Sequence, residues 1–98
     1  MKSVLFMDRP TVKAKRVARN IRSVREYRNY TQEYVAGQIG ISQNAYSKLE
    51  LGFHKLSLER LFQIAEVLEV DSPALLMQEG DVTANLRINA VVRRRTAR

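Results

Sequence analysis

Between residues 11 and 29, apolar side chains recur at Val17, Ile21 and Val24. Spacings of four and three put them on one face of a helix. The opposite face carries Lys15, Arg19 and Arg22. Thr11 is a candidate N-cap for this first helix, and Asn29 a stop. Thr31 can cap a second, short helix with Val35, Ala36 and Ile39 as its apolar side. Gly40 ends it, because glycine readily takes the left-handed conformation a helix terminus needs. Ile41 follows, and Ser42 is the next candidate N-cap. A third helix then runs from Gln43 to about Leu51, with Ala45, Tyr46 and Leu49 inward, and Gly52 terminates it.

Phe53-His54-Lys55-Leu56 reads as a loop. Ser57 caps a fourth helix whose apolar set is Leu58, Leu61, Phe62, Ile64, Ala65 and Leu68. Asp71-Ser72-Pro73 starts a short fifth, since proline suits the first turn. Leu75, Leu76 and Met77 complete its core contribution. Five short helices with brief connections predict an all-α domain over residues 11–78.

The flanks, residues 1–10 and 79–98, read differently. From Val82 to Val92 the even positions are Val82, Ala84, Leu86, Ile88, Ala90 and Val92. A period of two suggests a half-buried β-strand, with Val4–Met7 as its partner. The other reading of the tail is a disordered basic segment ending in Arg93-Arg94-Arg95. Both stand at this point.

Composition narrows the function classes. The chain has 98 residues, 45% of them hydrophobic and 28% charged, which suits one small globular domain. Without cysteine it has neither disulfides nor thiolate metal ligands, and a reducing compartment is its natural setting. His54 is the only histidine, so a histidine metal site is not expected. No signal peptide or membrane span is apparent, and a cytoplasmic protein without membrane partners is expected. Nothing resembles a Ser/His/Asp arrangement or a phosphate-cradling glycine loop, so neither an enzyme nor a cofactor is expected.

The net charge of +7 is unevenly spread: residues 1–30 carry nine Lys/Arg against two Asp/Glu, residues 31–78 three against six, and residues 79–98 five against two. Basic flanks suit a polyanion, either nucleic acid or an anionic membrane surface, and equally a solvated basic surface.

The central constellation decides more. A short helix, the turn Gly40-Ile41-Ser42 and a second short helix give the geometry of a helix-turn-helix. Ala36 is small enough for the two helices to approach closely, and Ile41 plugs the angle between them. The stretch Thr31–Gly52, TQEYVAGQIGISQNAYSKLELG, resembles the phage-repressor and Cro-like (XRE-type) helix-turn-helix family. The likeness extends over Ile21–Leu76, taking in Ile21–Arg25 and Leu58–Ala65.

This resemblance implies a five-helix, lambda-repressor-like DNA-binding domain. It implies that Gln43, Asn44, Ser47 and Lys48 face bases in the major groove, with Gln43 and Asn44 weighted most. Gln32, Ser42 and Lys55 become phosphate ligands, with Ser42 also a helix cap. Arg25 and Glu50 match a partly buried ion pair. Tyr46, Val35, Leu49 and Leu61 are core by phasing. Asn29 stands where many relatives have glycine, and Tyr34 is larger than expected and points to DNA or a partner surface.

The implied function is sequence-specific binding of double-stranded DNA by a transcriptional regulator, a repressor acting as a homodimer across two half-sites. Helix five and the Val82–Val92 segment are the expected dimer surface. Alternatives are an antitoxin that binds a toxin protein through a terminal extension, and a protein-interaction adaptor that kept the fold.

Overall fold

Pro10 opens α1 (Pro10–Tyr27), with Arg9 as the N-cap, so Thr11 lies inside the helix rather than capping it. Proline is tolerated there because a first-turn N–H has no partner in the helix and the fixed φ suits helical geometry. In the computed structural model the described residues are 9–52, 55–77 and 80–96, with side chains described as far as Ile88. The Val4–Met7 segment, Phe53 and His54 lie outside them. Beyond α1, Asn29 takes φ 61°, a left-handed geometry that asparagine accepts and that turns the chain.

The three expected serine and threonine caps form. Thr31 Oγ1 accepts the Tyr34 N–H at 3.0 Å and starts α2 (Gln32–Ile39). Ser42 Oγ accepts the Ala45 N–H at 3.1 Å and starts α3 (Gln43–Glu50). Ser57 Oγ accepts the Arg60 N–H at 3.1 Å and starts α4 (Leu58–Leu68). Each such bond satisfies a backbone donor that the helix leaves unpaired, typically worth about 1 kcal/mol. The expected fifth helix is a 3₁₀ helix, Ser72–Leu76, with Pro73 in its first turn.

Ile21, Val24, Val35, Tyr46, Ile64, Leu68 and Leu75 are essentially inaccessible and form one core with Val82. α2 packs on both α3 and α4, while α1 touches α3, α4, the 3₁₀ helix and the C-terminal helix. The apolar set expected for α4 is too wide. Leu61, Ile64, Ala65 and Leu68 are buried, but Leu58 is 70% and Phe62 54% exposed. These two lie a turn apart beside the buried stripe, past the edge of the contact with α1 and α2. Leu76 is likewise exposed where Leu75 is buried.

The tail is not a strand. Residues Asp81–Thr96 form α5, and there is no β-strand among the described residues. Alternation over 82–92 fits two periods, because Val82 and Leu86 are also four apart. Val82 is fully buried and Leu86 packs against the core, so the helical period governs burial. Two isolated strands are marginal and leave an edge of unpaired backbone groups, whereas a helix satisfies most of its own. The disordered alternative fails for the same residues.

Asn20 locks the far end of the fold, and no local sequence pattern marks it. It is fully buried on α1, at a position three residues after Val17 and four before Val24. Its Nδ2 donates to the carbonyls of Leu75, at 3.0 Å, and Met77, at 2.7 Å. The 3₁₀ helix is thereby fastened to α1, just ahead of the segment that leads into α5. Asn20→Ala strands both carbonyls, at about 1–3 kcal/mol for each that stays dry. We expect a loss of at least about 2 kcal/mol in urea unfolding; a loss under about 0.5 kcal/mol would show that the latch is dispensable.

Candidate nucleic-acid interface

The turn between α2 and α3 is built from backbone geometry. Gly40 takes φ 77° and ψ 31°, and its N–H reaches back to Gly37 O at 3.3 Å. The Ile41 N–H bonds Ala36 O at 3.0 Å, and the Ile41 side chain packs against the core. Ala36 is buried where α2 meets α3. The C-terminus of α2 has a further tie, in that Arg60 Nη1 donates to Ile39 O at 3.1 Å while also bonding Gln63. No local pattern in the sequence announces that contact, which links residues 21 apart.

α3 presents two dissimilar faces. Tyr46 and Glu50 are buried. Gln43, Asn44 and Lys48 are exposed and Ser47 is half-buried. At about 100° per residue these four lie within an arc of about 140°. Leu51, the C-cap, continues that arc and is exposed. Leu51 is apolar and so lies outside the polar pattern of α3, although the Gln43, Ser47, Leu51 spacing of four places it on the same arc. None of the four polar side chains makes a hydrogen bond or ion pair among the described residues. They form an unpartnered polar strip on a short, well-capped helix.

Beneath that strip lies the expected ion pair. Arg25 Nε donates to Glu50 Oε2 at 2.6 Å, and Nη2 to Oε1 at 3.2 Å. Arg25 Nη1 donates to Tyr30 O at 2.8 Å. The Glu50 side chain is only 2% exposed, so its charge is desolvated. The hydrogen bond to Glu50 raises the Arg25 pKa above its ordinary value, against the lowering effect of burial. Removing either partner would strand the other charge, at a cost of about 3–5 kcal/mol.

Gln32 joins this network. Its Nε2 donates to Glu50 Oε1 at 3.1 Å, so the amide nitrogen is held inside the protein while the residue sits in the first turn of α2. Ser42 is exposed at the start of α3 and Lys55 is exposed in the segment before α4. Phe53 and His54 of the same loop lie outside the described residues. Tyr34 is partly covered by Tyr30, with ring centroids 4.8 Å apart. Gly52 has φ 78°, and the Lys15 stem passes so close that a Cβ there would lie 3.0 Å from Lys15 Cγ. Glycine is thus needed twice over, and its contact brings one basic residue of α1 beside the C-terminal end of α3.

The helix-turn-helix family profile matches residues 21–75, more than half of the chain. The chain belongs to the Cro/C1-type helix-turn-helix family. No curated protein and no solved structure matches it. Members of this helix-turn-helix family are DNA-binding transcription regulators, not enzymes. The matched span runs from the buried stripe of α1 to Leu75 and leaves α5 outside. Among the described residues, no helix is long and apolar enough to cross a membrane, and no group of three or more acidic or histidine side chains could hold a metal ion.

The underside of α3 also carries a pH signature. Tyr46 is fully buried, and its hydroxyl makes no hydrogen bond of ordinary geometry. Burial first, then the nearby Glu50 carboxylate, pushes its pKa far above the usual 10. Unfolded Tyr46 loses its proton above pH 10 while the folded residue keeps it. This contribution to stability is complete below pH 10 and is lost as pH rises further, by up to about 1.4 kcal/mol per pH unit. Tyr46→Phe should leave stability at pH 7 within about 1 kcal/mol, since no hydrogen bond is removed. It should also flatten the alkaline decline by about one proton's worth. Parallel urea titrations of both proteins at pH 7 and on either side of pH 10.5 (roughly, given the ordinary tyrosine value) test this; identical alkaline slopes would contradict it.

Proposed function

We propose that the protein is a sequence-specific repressor that reads the major groove with the exposed arc of α3 and acts as a homodimer. Four polar side chains without internal partners, on a helix held rigidly from below, support this reading most directly. Gln43 and Asn44 occupy the first turn, which reaches deepest into the groove in helix-turn-helix docking. Either amide can make paired hydrogen bonds to adenine N6 and N7. Lys48 reaches guanine or phosphate from the last turn, and Ser47 lies between them. Leu51 supplies an apolar group suited to a thymine methyl.

Gln32, Ser42 and Lys55 are the proposed phosphate ligands. The first two sit where α2 and α3 open, and helix N-termini favour anions. Gln32 keeps its amide nitrogen on Glu50, so the backbone N–H groups of the α2 first turn are the better donors there. Such contacts fix the register of the protein on the duplex but carry no sequence information. A single small module reads few base pairs. Pairing two copies across half-sites about one helical turn apart multiplies its selectivity, which favours the homodimer.

Selection of bound duplexes from a random pool, followed by titration of the enriched site against salt, tests the reading. Gln43→Ala with Asn44→Ala should lower affinity for the enriched site by about 1–3 kcal/mol per substitution and leave the salt slope unchanged. Lys55→Ala should weaken all sequences alike and reduce the slope by about one. A random pool that yields no enriched sequence, or a double variant that binds the site as the parent does, rules out base readout by α3.

A further inference from the structure

α1 begins well before the span that marks the family. Residues 10–20 lie outside the matched 21–75, yet they belong to the same unbroken helix. This extension meets the end of α3. A Cβ built on Gly52 would lie 3.0 Å from Lys15 Cγ and 3.7 Å from both Lys15 Cα and Cβ. The backbone and stem of Lys15 thus run in contact with the residue that follows Leu51, the α3 C-cap. The φ of 78° at Gly52 disfavours any side chain that would push the stem away.

Positive charge gathers at this end of α3 from three parts of the chain. Lys48 is exposed in its last turn, Lys55 in the segment before α4, and Lys15 on α1. None of the three forms an ion pair among the described residues. Neighbouring cations are engaged: Arg25 with Glu50, Arg22 with Glu26, and Arg28 with the end of α4. Glu50, which could have neutralised a lysine here, is buried and committed to Arg25.

The dimensions of a duplex decide what such a lysine meets. The major groove is about 12 Å wide, and a helix with its side chains is about 10–12 Å across, so a docked helix fills the groove. A group beside the helix, rather than on its outer arc, faces the groove walls, and these are the phosphate backbones. Lysine carries a compact charge on a flexible stem, which suits a phosphate better than the fixed geometry of a base edge. The Gly52 contact holds the lower part of that stem, so less rotamer freedom is left to lose on binding.

We propose that Lys15 is a DNA phosphate ligand, placed by Gly52 at the C-terminal end of α3, and that the helical extension outside the family span is thereby part of the DNA interface. The inference rests on the docking of α3 proposed above and adds to it a contact from another helix. Its effect is on affinity and register, not on sequence preference.

Titration of the full chain with the enriched duplex and with a random-sequence duplex, from about 50 to 200 mM salt, tests this. Lys15→Ala should reduce the salt slope by about one on both duplexes. The parent's advantage over the variant then shrinks about three- to fourfold across that range. Lys13→Ala removes the same charge from an exposed position about 160° around α1 and should leave the slope unchanged. Lys15→Arg should keep it. Circular dichroism and the urea midpoint of Lys15→Ala should match the parent's, because Lys15 is exposed and forms no ion pair in the described fold. A Lys15→Ala slope equal to the parent's, or a fall matched by Lys13→Ala, overturns the assignment and leaves the docking of α3 standing. A parent that prefers no sequence removes base readout by α3, and the slopes on the random duplex still decide the role of Lys15. A parent that binds neither duplex overturns both.

Discussion

The geometry of α3 depends on one ion pair. Arg25 on α1 and Glu50 at the end of α3 meet in a two-bond contact, and the same pair gathers Tyr30 O and the Gln32 amide. Four pieces of chain are thereby fixed relative to one another: α1, the loop after it, the first turn of α2 and the last turn of α3. Eight residues are too few for a helix to hold itself in water. What surrounds α3 therefore decides both its existence and its rotation about its own axis. A buried ion pair is a poor source of net stability, because desolvation offsets most of the attraction. Its value here is directional. A one-residue change in the register of α3 would rotate the outer arc by about 100° and pull the carboxylate away from the guanidinium. Packing by Tyr46 alone would penalise that error less.

Arginine does similar work elsewhere, and this revises the meaning of the positive charge. Arg28 donates to Leu68 O and Glu69 O, each at 2.9 Å, at the C-terminus of α4. Glu69 there adopts φ 61°, a conformation that disfavours a side chain by about 1–2 kcal/mol. The guanidinium meets carbonyls that the ending helix leaves unpaired and sits at the negative end of its dipole. Arg60 performs the same office for Ile39 O in α2. Arg25, Arg28 and Arg60 thus hold the elements together. Arg22 is matched by Glu26 on the surface. The excess charge of residues 1–30 is in part internal scaffolding, and counting lysines and arginines overstates how much of it faces a polyanion.

What the sequence disclosed follows from the range of each interaction. Thr31, Ser42 and Ser57 bond three residues ahead, so the residue type and its place before an apolar run suffice to find them. Gly40 acts on its own φ. The phasing of Gln43, Asn44, Ser47 and Lys48 against Tyr46 is likewise local, which is why the candidate surface was legible. The Arg25–Glu50 pair was found through family likeness rather than periodicity. Asn20 bonds carbonyls 55 and 57 residues away, and only its polar character on an otherwise apolar face hinted at it. The segment of α5 reads equally as a strand, because a pattern of alternate apolar residues contains a spacing of four. Leu58 and Phe62 fit the apolar pattern of α4 but stay exposed, because a helix can carry more apolar residues than its neighbours can cover.

The side chains that hold α3 and those on its outer arc are separate sets. Every side chain that fixes α3, from Ser42 at its start through Tyr46 to Glu50, points into the body or into the cap. Gln43, Asn44, Ser47 and Lys48 contribute no described bond to that framework. Exchanging them leaves the reasons for the fold in place. The backbone beneath them is already ordered, so binding must immobilise only the side chains, at about 0.5–1.5 kcal/mol for each rotamer-rich one. Rigid placement of a polar strip without internal partners therefore confines the entropic cost of any contact made there to the side chains themselves.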